Sequence, residues 1–299
     1  MKNAIVRLSE YVKNATEAEV NVISYLLDSP EEAAALTIHE LAKRTYSSAS
    51  TIIRLCKKLG FKGYKDFSRS LIYELANRKD PEIKYDRDIE KDSSLQEVAD
   101  KILYRSIAAL EKTRALIEPE ILRQCVQLFE QSSKMVFFGV GSSLLVGQDA
   151  KAKFMRINKI SFCEADFQAQ LVLAKNMDER DVGVIISYSG LTREMLDIAA
   201  ILKKRKVPII SITRFADTEL SAIADYRLWV ASSEYLVRSA AMTSRLAQLY
   251  VIDILYAAYV QLDYENNIEK IQRTQMKKIK RRREREKYEF GSSNDRTEK

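Results

Sequence analysis

The spacing of apolar residues divides the chain into two parts that meet near residue 134. In the first part apolar positions recur every three or four residues, which predicts helices over residues 1–78 and again at 95–113 and 119–132. Residues 79–94 are polar, contain one proline and lack periodicity, so they are predicted to be a linker. We therefore predict an all-α domain over residues 1–78 and a second domain that begins at residue 95.

From residue 134 onwards, short apolar runs rich in β-branched residues alternate with helical stretches. The strong runs are residues 134–139, 181–187 and 207–213, and the weaker ones are residues 159–164 and 226–231. Such an alternation predicts a parallel sheet covered by helices on both faces. The chain is thus predicted to be multidomain: a helix-turn-helix domain, then a doubly wound, five-stranded parallel α/β domain over residues 95–265.

Composition excludes several classes of protein. The chain is 46% hydrophobic and 30% charged, so it can bury a core. Its three cysteines form no CxxC pair and it has one histidine, so we predict no metal site and no cofactor. Neither a signal-peptide run nor a stretch of about 20 apolar residues is present, so no membrane partner is predicted and the expected location is cytoplasmic.

Positive charge is concentrated near the end of the chain. The formal net charge is +7, yet residues 270–287 alone carry ten Lys/Arg and two Glu, so residues 1–269 sum to about zero. Residues 266–299 are predicted to be a basic, disordered tail. This tail either strengthens nonspecific DNA binding or is simply a solvated charge run, and the sequence leaves both open.

Residues 37–60 have the pattern of two short helices joined by a tight polar turn. Thr37 with Glu40 forms a predicted capping box, Ser48 is the predicted N-cap of the second helix, and Gly60 ends it. Residues 50–70 hold six Lys/Arg against one acid, Asp66. A basic second helix is typical of a helix-turn-helix that enters the major groove, although a solvated face of an ordinary hairpin is the alternative. The candidate DNA-binding residues are Ser48, Ser50, Thr51, Arg54, Lys57, Lys58, Lys62 and Tyr64.

Two hydroxyl-rich loops follow the first and third predicted strands, and each leads into a helix. Helix N-termini favour anions, and the carboxyl ends of parallel strands are where such sheets bind ligands. The candidate ligand-binding residues are Gly141, Ser142, Ser143, Ser187, Ser189 and Thr192, with Glu234 after the fifth strand as a group that orients sugar hydroxyls or acts as a base. A dinucleotide fingerprint would need glycine where Leu144 stands, and ordinary turn chemistry is the remaining alternative.

Several segments taken together resemble RpiR-type bacterial transcriptional regulators, in which an N-terminal helix-turn-helix precedes a SIS (sugar isomerase) domain. They are SASTIIR at 48–54, KKLGFKGY at 57–64, GVGSS at 139–143, ISYSGLT at 186–192 and RSAAMTSR at 238–245. The resemblance implies DNA binding controlled by a phosphorylated sugar, phosphate contacts from Ser142, Ser143, Ser187, Ser189 and Thr192, and assembly into homodimers or homotetramers. Many such regulators place a histidine after the second strand, where this chain has Gln168.

The predicted function is therefore a transcriptional regulator that binds double-stranded operator DNA and responds to a sugar phosphate. The alternative is a sugar-phosphate aldose–ketose isomerase, which needs a base near the sugar C2 and an acid/base for ring opening. The sole histidine, His39, lies in the helix-turn-helix, so we predict no enzyme activity. The sequence does not specify the sugar, the operator or the sign of regulation.

Overall fold

The computed structural model describes residues 3–76, 91, 93–231 and 241–275. The N-terminal part is helical, and its elements are α1 (Ala4–Tyr11), a 3-10 turn (Val12–Asn14), α2 (Glu17–Asp28), α3 (Pro30–Ala35), α4 (Ile38–Arg44), α5 (Ala49–Lys58) and α6 (Tyr64–Ala76). Apolar residues from every one of these helices meet in a common core, with Leu8, Ile23, Leu41, Leu55 and Phe67 fully buried. The predicted linker falls almost wholly on residues outside the described ranges.

The second part is an α/β domain. Its elements are α7 (Leu95–Leu116), α8 (Pro119–Gln131), β1 (Met135–Phe138), α9 (Ser142–Arg156), β2 (Ser161–Phe162), α10 (Phe167–Lys175), β3 (Val182–Ile186), α11 (Arg193–Lys204), β4 (Ile209–Arg214), α12 (Glu219–Ile223), β5 (Tyr226–Val230), α13 (Met242–Leu262) and α14 (Tyr264–Arg273). All strand pairs are parallel, in the order β2-β1-β3-β4-β5. The predicted fold class is confirmed.

Both faces of the sheet are covered, as the continuous apolar strands predict. Phe137 faces a core that includes residues of α8, α9 and α13, whereas Phe138 faces a second core with α10, α11 and α12. None of the described helices is long and apolar enough to cross a membrane. Because β1 lies between β2 and β3, the loops after β1 and β3 leave the sheet side by side, at the point where the strand order reverses.

The predicted tail requires one correction. The expectation of disorder from residue 266 is wrong for residues 266–273, which belong to α14. Ile268 and Ile271 of this helix pack against the core of the α/β domain, and Asn267 is buried. Apolar residues three apart on one helix face thus hold the start of the basic segment on the domain, while residues 276–299 lie outside the described residues.

Candidate anion pocket and nucleic-acid interface

A cavity of about 360 Å³ lies where the loops after β1 and β3 meet. It is lined by Val140, Ser142, Ser143, Ile186, Ser187, Tyr188, Ser189, Thr192, Ala241, Ser244 and Gln248. Five of the predicted ligand residues are therefore brought to one cavity, and Gly141 lies directly before the first of them. Glu234 lies outside the described residues.

The first wall is the tight turn from β1 into α9. Gly141 precedes α9 with φ +56° and ψ −126°, a conformation that favours glycine. At Gly139 a Cβ would lie 2.9 Å from the backbone carbon of Ser143, so the chain passes too close for any side chain. The buried amide of Gln170 fixes this turn, since its Nε2 donates to the Gly139 carbonyl at 3.0 Å and its Oε1 accepts from the Gly139 N–H at 3.3 Å. The start of α9, with Ser142 and Ser143, therefore faces the cavity from a rigid support.

The second wall is the loop from β3 into α11. Ser187 is 3% exposed, and its hydroxyl lies 3.2 Å from that of Thr192, the N-cap of α11. Gly190 has φ +67° and donates its N–H to the Ser187 carbonyl at 3.2 Å, which closes the turn. The Thr192 side chain makes no capping bond to its own helix. Both hydroxyls can consequently turn toward a ligand by giving up only their mutual hydrogen bond.

Sequence reasoning missed the third wall, which comes from α13. Gln248 is 1% exposed, and its Nε2 donates to the Ser143 Oγ at 3.4 Å. Ser244, one helical turn earlier, also lines the cavity and is buried. Polar residues at positions 244 and 248 stand on the same face of a helix that is otherwise mostly apolar. That spacing was the sequence signal that could have revealed them.

The cavity is polar but carries no formal charge on its described lining residues. An anion placed there would meet hydroxyls, one amide and the N-termini of α9 and α11, whose dipoles favour negative charge. Gln168, at the position where a histidine was noted as common in similar regulators, is exposed on α10 and is not among the lining residues. The described lining therefore suits binding of an anion and supplies no acid/base pair.

The helix-turn-helix is built from local capping interactions. The Glu40 carboxylate accepts the Thr37 N–H at 2.7 Å, and the Ser48 Oγ accepts the Thr51 N–H at 3.1 Å, so both predicted N-caps are confirmed. The turn between the helices places Tyr46 in the left-handed region at φ +50°, with its side chain 95% exposed. An exposed aromatic side chain thus stands next to the N-terminus of α5.

Helix α5 has one buried face and one basic exposed face. Ile52, Leu55 and Cys56 pack into the core, and burial raises the pKa of the Cys56 thiol to about 12, so it stays a neutral core residue. The exposed predicted residues are Ser48, Ser50, Arg54, Lys57, Lys58 and Lys62, whereas Thr51 and Tyr64 are half-buried. Most of the predicted nucleic-acid residues therefore share one accessible surface.

Lys58 and Tyr64 already have partners inside the domain. Lys58 Nζ lies 2.8 Å from the Glu19 carboxylate and 5.9 Å from the centre of the Tyr11 ring. The hydrogen bond to Glu19 raises the pKa of Lys58. The Tyr64 hydroxyl donates to the Leu36 carbonyl at 2.8 Å, and burial raises its pKa to about 12. These two side chains hold α5 and α6 in place.

Comparison with known proteins gives consistent matches over both domains. Residues 2–78 match the rpiR-family helix-turn-helix domain, and residues 128–258 match the SIS domain. The uncharacterised HTH-type transcriptional regulator YbbH of Bacillus subtilis is 34% identical over 258 residues, which cover 86% of this chain and 90% of that protein.

Two solved structures share the fold. The Vibrio vulnificus NanR protein complexed with ManNAc-6P is 26% identical, with a TM-score of 0.56 over 91% of this chain and 96% of that one. The sugar isomerase domain of the RpiR transcription factor from Sphaerobacter thermophilus is 17% identical, with a TM-score of 0.55 over 60% of this chain and 98% of that one. The resemblance predicted from the sequence is thereby confirmed. The chain belongs to the rpiR family of helix-turn-helix transcriptional regulators with an SIS domain.

Proposed function

We propose that this regulator binds operator DNA through α5 and that a phosphorylated sugar in the cavity between the β1 and β3 loops sets its DNA affinity. The observation that carries this proposal is the joint geometry of the cavity: hydroxyls from two adjacent loops, at two helix N-termini, without a charged side chain on the described lining. A phosphate group offers several acceptor oxygens and negative charge, which hydroxyl and N–H donors at helix N-termini satisfy.

The phosphate is proposed to bind at the two loops. Its oxygens would accept hydrogen bonds from the hydroxyls of Ser142, Ser143, Ser187, Ser189 and Thr192. Gln248 closes the wall opposite the loops and orients Ser143. The relative NanR was solved with ManNAc-6P, which supports the phosphosugar class for this cavity. Glu234 stays a prediction from the sequence alone, as a group that would contact the sugar hydroxyls.

The DNA contacts are proposed to come from the exposed side of α5 and the residues beside it. Arg54 can donate two hydrogen bonds to a guanine edge, whereas Lys57 and Lys62 are suited to neutralise phosphates. Ser48, Ser50 and Thr51 are small residues at the helix start, where close approach to the groove is needed. The contacts of Lys58 and Tyr64 support a role in fixing the angle of α5 rather than in gripping DNA. This proposal places the protein in the cytoplasm with the bacterial DNA.

A homodimer is proposed as the binding unit, because helix-turn-helix proteins usually read two half-sites with two recognition helices. Support comes from α7, where Ile102, Leu103 and Ile107 lie exposed on one side of a 22-residue helix. A second copy of this chain is the natural cover for such a surface, since oligomers of one chain commonly pair identical patches.

We also propose that the protein does not catalyse sugar isomerisation. Isomerisation needs a base beside the sugar C2 proton. Among the described lining residues there is neither a carboxylate nor a histidine, and His39 belongs to α4 in the other domain. An assay for aldose–ketose conversion of a hexose phosphate panel tests the alternative, and turnover that Glu234→Gln abolishes would establish it.

The central experiment separates the two activities by mutation. A duplex is selected from random DNA by the wild-type protein. The double variant R54A/K57A is expected to lose at least about 30-fold in affinity for this duplex, from two lost contacts of about 1–3 kcal/mol each. Lys175→Ala, an exposed lysine on α10, is the matched control. Sugar phosphates that raise the melting temperature of the wild type should do so equally in R54A/K57A, because binding to the folded state stabilises it. Unchanged DNA affinity in R54A/K57A would refute the role of α5.

Ser187→Ala tests the opposite separation, in which sugar-phosphate binding is weakened and DNA binding is kept. It should reduce the melting-temperature shift caused by the same sugar phosphates and leave the basal DNA affinity close to that of the wild type. Ser24→Ala, an exposed serine on α2, is the control. A shift that survives Ser187→Ala undiminished would contradict the proposed phosphate site.

A further inference from the structure

Arg7 is a buried charged residue at the junction of the two domains. Its side chain is 2% exposed. One guanidinium nitrogen, Nη1, donates to the Leu59 carbonyl at 2.9 Å, and the other, Nη2, donates to the Glu118 carboxylate at 2.8 Å. The guanidinium carbon lies 5.0 Å from the centre of the Phe215 ring. A buried charge is retained at such a place only if it is paired, and here the pairing spans both domains.

These contacts connect the end of α5 directly to the α/β domain. Leu59 is the C-cap of α5, and a cation at a helix C-terminus interacts favourably with the exposed carbonyls and the helix dipole. Glu118 lies between α7 and α8, and Phe215 follows β4. The end of the proposed recognition helix is therefore held against the segment that leaves the sheet beside the cavity.

A second contact runs parallel to Arg7. The Tyr11 hydroxyl donates to the Asp217 carboxylate at 3.3 Å, while the ring of Tyr11 lies under Lys58 of α5. Asp217, like Phe215, belongs to the segment after β4. Two residues of α1 thus connect this segment to the last turn of α5.

Residues 214–220, from the end of β4 to the start of α12, also touch the loop that forms the second wall of the cavity. The Arg214 N–H donates to the Tyr188 carbonyl at 3.0 Å, and the Leu220 N–H donates to the Gly190 carbonyl at 3.2 Å. A Cβ on Gly190 would lie 2.3 Å from the Thr218 Oγ1, so the two segments are in close contact. Any displacement of the loop 187–192 must therefore displace the segment 214–220 or strain it.

We propose that Arg7 is the positioning residue through which the state of the cavity sets the orientation of the recognition helix. The route runs from the loop 187–192 to the segment 214–220, then through Phe215 and Asp217 to α1 and the end of α5. This inference rests on the proposed function and adds the route of its regulation. A ligand acts on DNA affinity by this route only to the extent that it binds the two arrangements with different affinity.

The test uses a double-mutant cycle that needs no ligand. Gly190→Ala imposes a displacement at the cavity loop, because the new methyl group overlaps Thr218. Arg7→Met keeps a long side chain against Phe215 and removes both hydrogen bonds. DNA affinity is measured with the selected duplex for the wild type, both single variants and the double variant. Gly190→Ala should change the dissociation constant by at least about 5-fold in the wild type, and this change should be at least about 2-fold smaller in the Arg7→Met background, where the parallel contact of Tyr11 with Asp217 remains.

Two controls match the two substitutions. Gly183→Ala also adds a methyl group, but within β3 and against Leu202 of α11 rather than against the segment after β4, and it should leave DNA affinity unchanged. Arg123→Met removes an exposed arginine that pairs with Glu120 on α8 and should not alter the effect of Gly190→Ala.

Trp229 gives an independent readout at the junction. It is the single tryptophan of the chain, and its ring lies 5.3 Å from that of Phe215. Gly190→Ala should shift the emission of Trp229 in both the wild-type and the Arg7→Met background, since Phe215 precedes Arg7 on the route. If Arg7 had only a structural role, Arg7→Met would not keep the fluorescence shift caused by Gly190→Ala while reducing its effect on DNA affinity.

The outcomes distinguish the inference from the proposed function. A wild type without affinity for any duplex overturns the proposed function, and with it the inference. A Gly190→Ala effect on DNA that persists unchanged in Arg7→Met overturns the inference alone. If Arg7→Met fails to fold, Phe215→Leu takes its place, because it removes the ring that Arg7 contacts on the route while leaving the hydrogen bonds of Arg7 to Leu59 and Glu118. An undiminished effect in Phe215→Leu then also overturns the inference.

Discussion

Gly139→Ala gives a sharp test of how the cavity is built. The added Cβ would lie 2.9 Å from the Ser143 carbon, 3.0 Å from the Ser143 oxygen and 3.0 Å from the Leu144 nitrogen. All three are backbone atoms of the first turn of α9, so no side chain can rotate away to relieve the contact. The hydrogen bonds of Gln170 hold Gly139 from the other side. The first turn of α9 must therefore move by a few tenths of an ångström.

Overpacking of this kind costs about 1–3 kcal/mol of folding free energy. The same movement displaces Ser142 and Ser143 from a phosphate, and losing one hydrogen bond to a charged group costs about 1.5–3 kcal/mol, or roughly 10- to 150-fold in affinity. Urea unfolding followed by circular dichroism measures the loss of folding free energy. Isothermal titration, with the phosphorylated sugar that gives the largest thermal shift, measures the loss of sugar-phosphate affinity.

Gly63→Ala is the control, since a Cβ there meets nothing within 4 Å. It should keep the sugar-phosphate affinity and change the free energy of unfolding by less than about 1 kcal/mol. A folded Gly139→Ala protein with the unfolding free energy and sugar-phosphate affinity of the wild type would refute the claim that the backbone of α9 is fixed at this point and forms the anion site.

Three further predictions concern other parts of the molecule. Gln248→Leu keeps the volume of a buried side chain and removes the donor to Ser143, so titration should show a roughly 10-fold loss of phosphosugar affinity with little change in secondary structure. Lys58→Met leaves the Glu19 carboxylate, 4% exposed, without its partner; since Lys58 is 37% exposed, we expect a loss of about 1 kcal/mol in urea unfolding at pH 7. Burial by itself raises the pKa of Glu19, but hydrogen bonds from Lys58 and Thr16 outweigh burial, so the pKa of Glu19 is lowered in the folded state. The stability that this carboxylate contributes is therefore present above the pKa of Glu19 in the unfolded chain, and it should vanish as the pH falls through the pKa of Glu19 in the folded protein. Leu103→Glu should convert a dimer to a monomer in sedimentation velocity, and a variant that sediments as the wild type would remove α7 from the interface.

Local chemistry made the elements predictable. The N-caps at Thr37 and Ser48, the basic face of α5 and the hydroxyl-rich loops depend on neighbours in the chain, so sequence spacing revealed them. The strongest apolar runs became β1, β3 and β4, whereas the weak run at 159–164 shortened to two paired residues, Ser161–Phe162. This strand pairs with β1 at only two positions, Met135 and Val136, so the sheet holds little of it. The other weak run, at 226–231, became the five-residue edge strand β5.

Long-range packing decided how the site is assembled. The strand order places β1 next to β3, and only this adjacency brings two distant serine loops to one cavity. Gln248 reaches that cavity because α13 packs against α9, and Arg7 connects the two domains because α1 packs against α6 and α7. The periodicity of the sequence encodes neither arrangement. By itself the sequence determined the kinds of element and the chemistry each carries, because these follow from neighbours along the chain. Only the tertiary structure decided which side chains meet, because burial and hydrogen-bond partners belong to residues far apart in sequence.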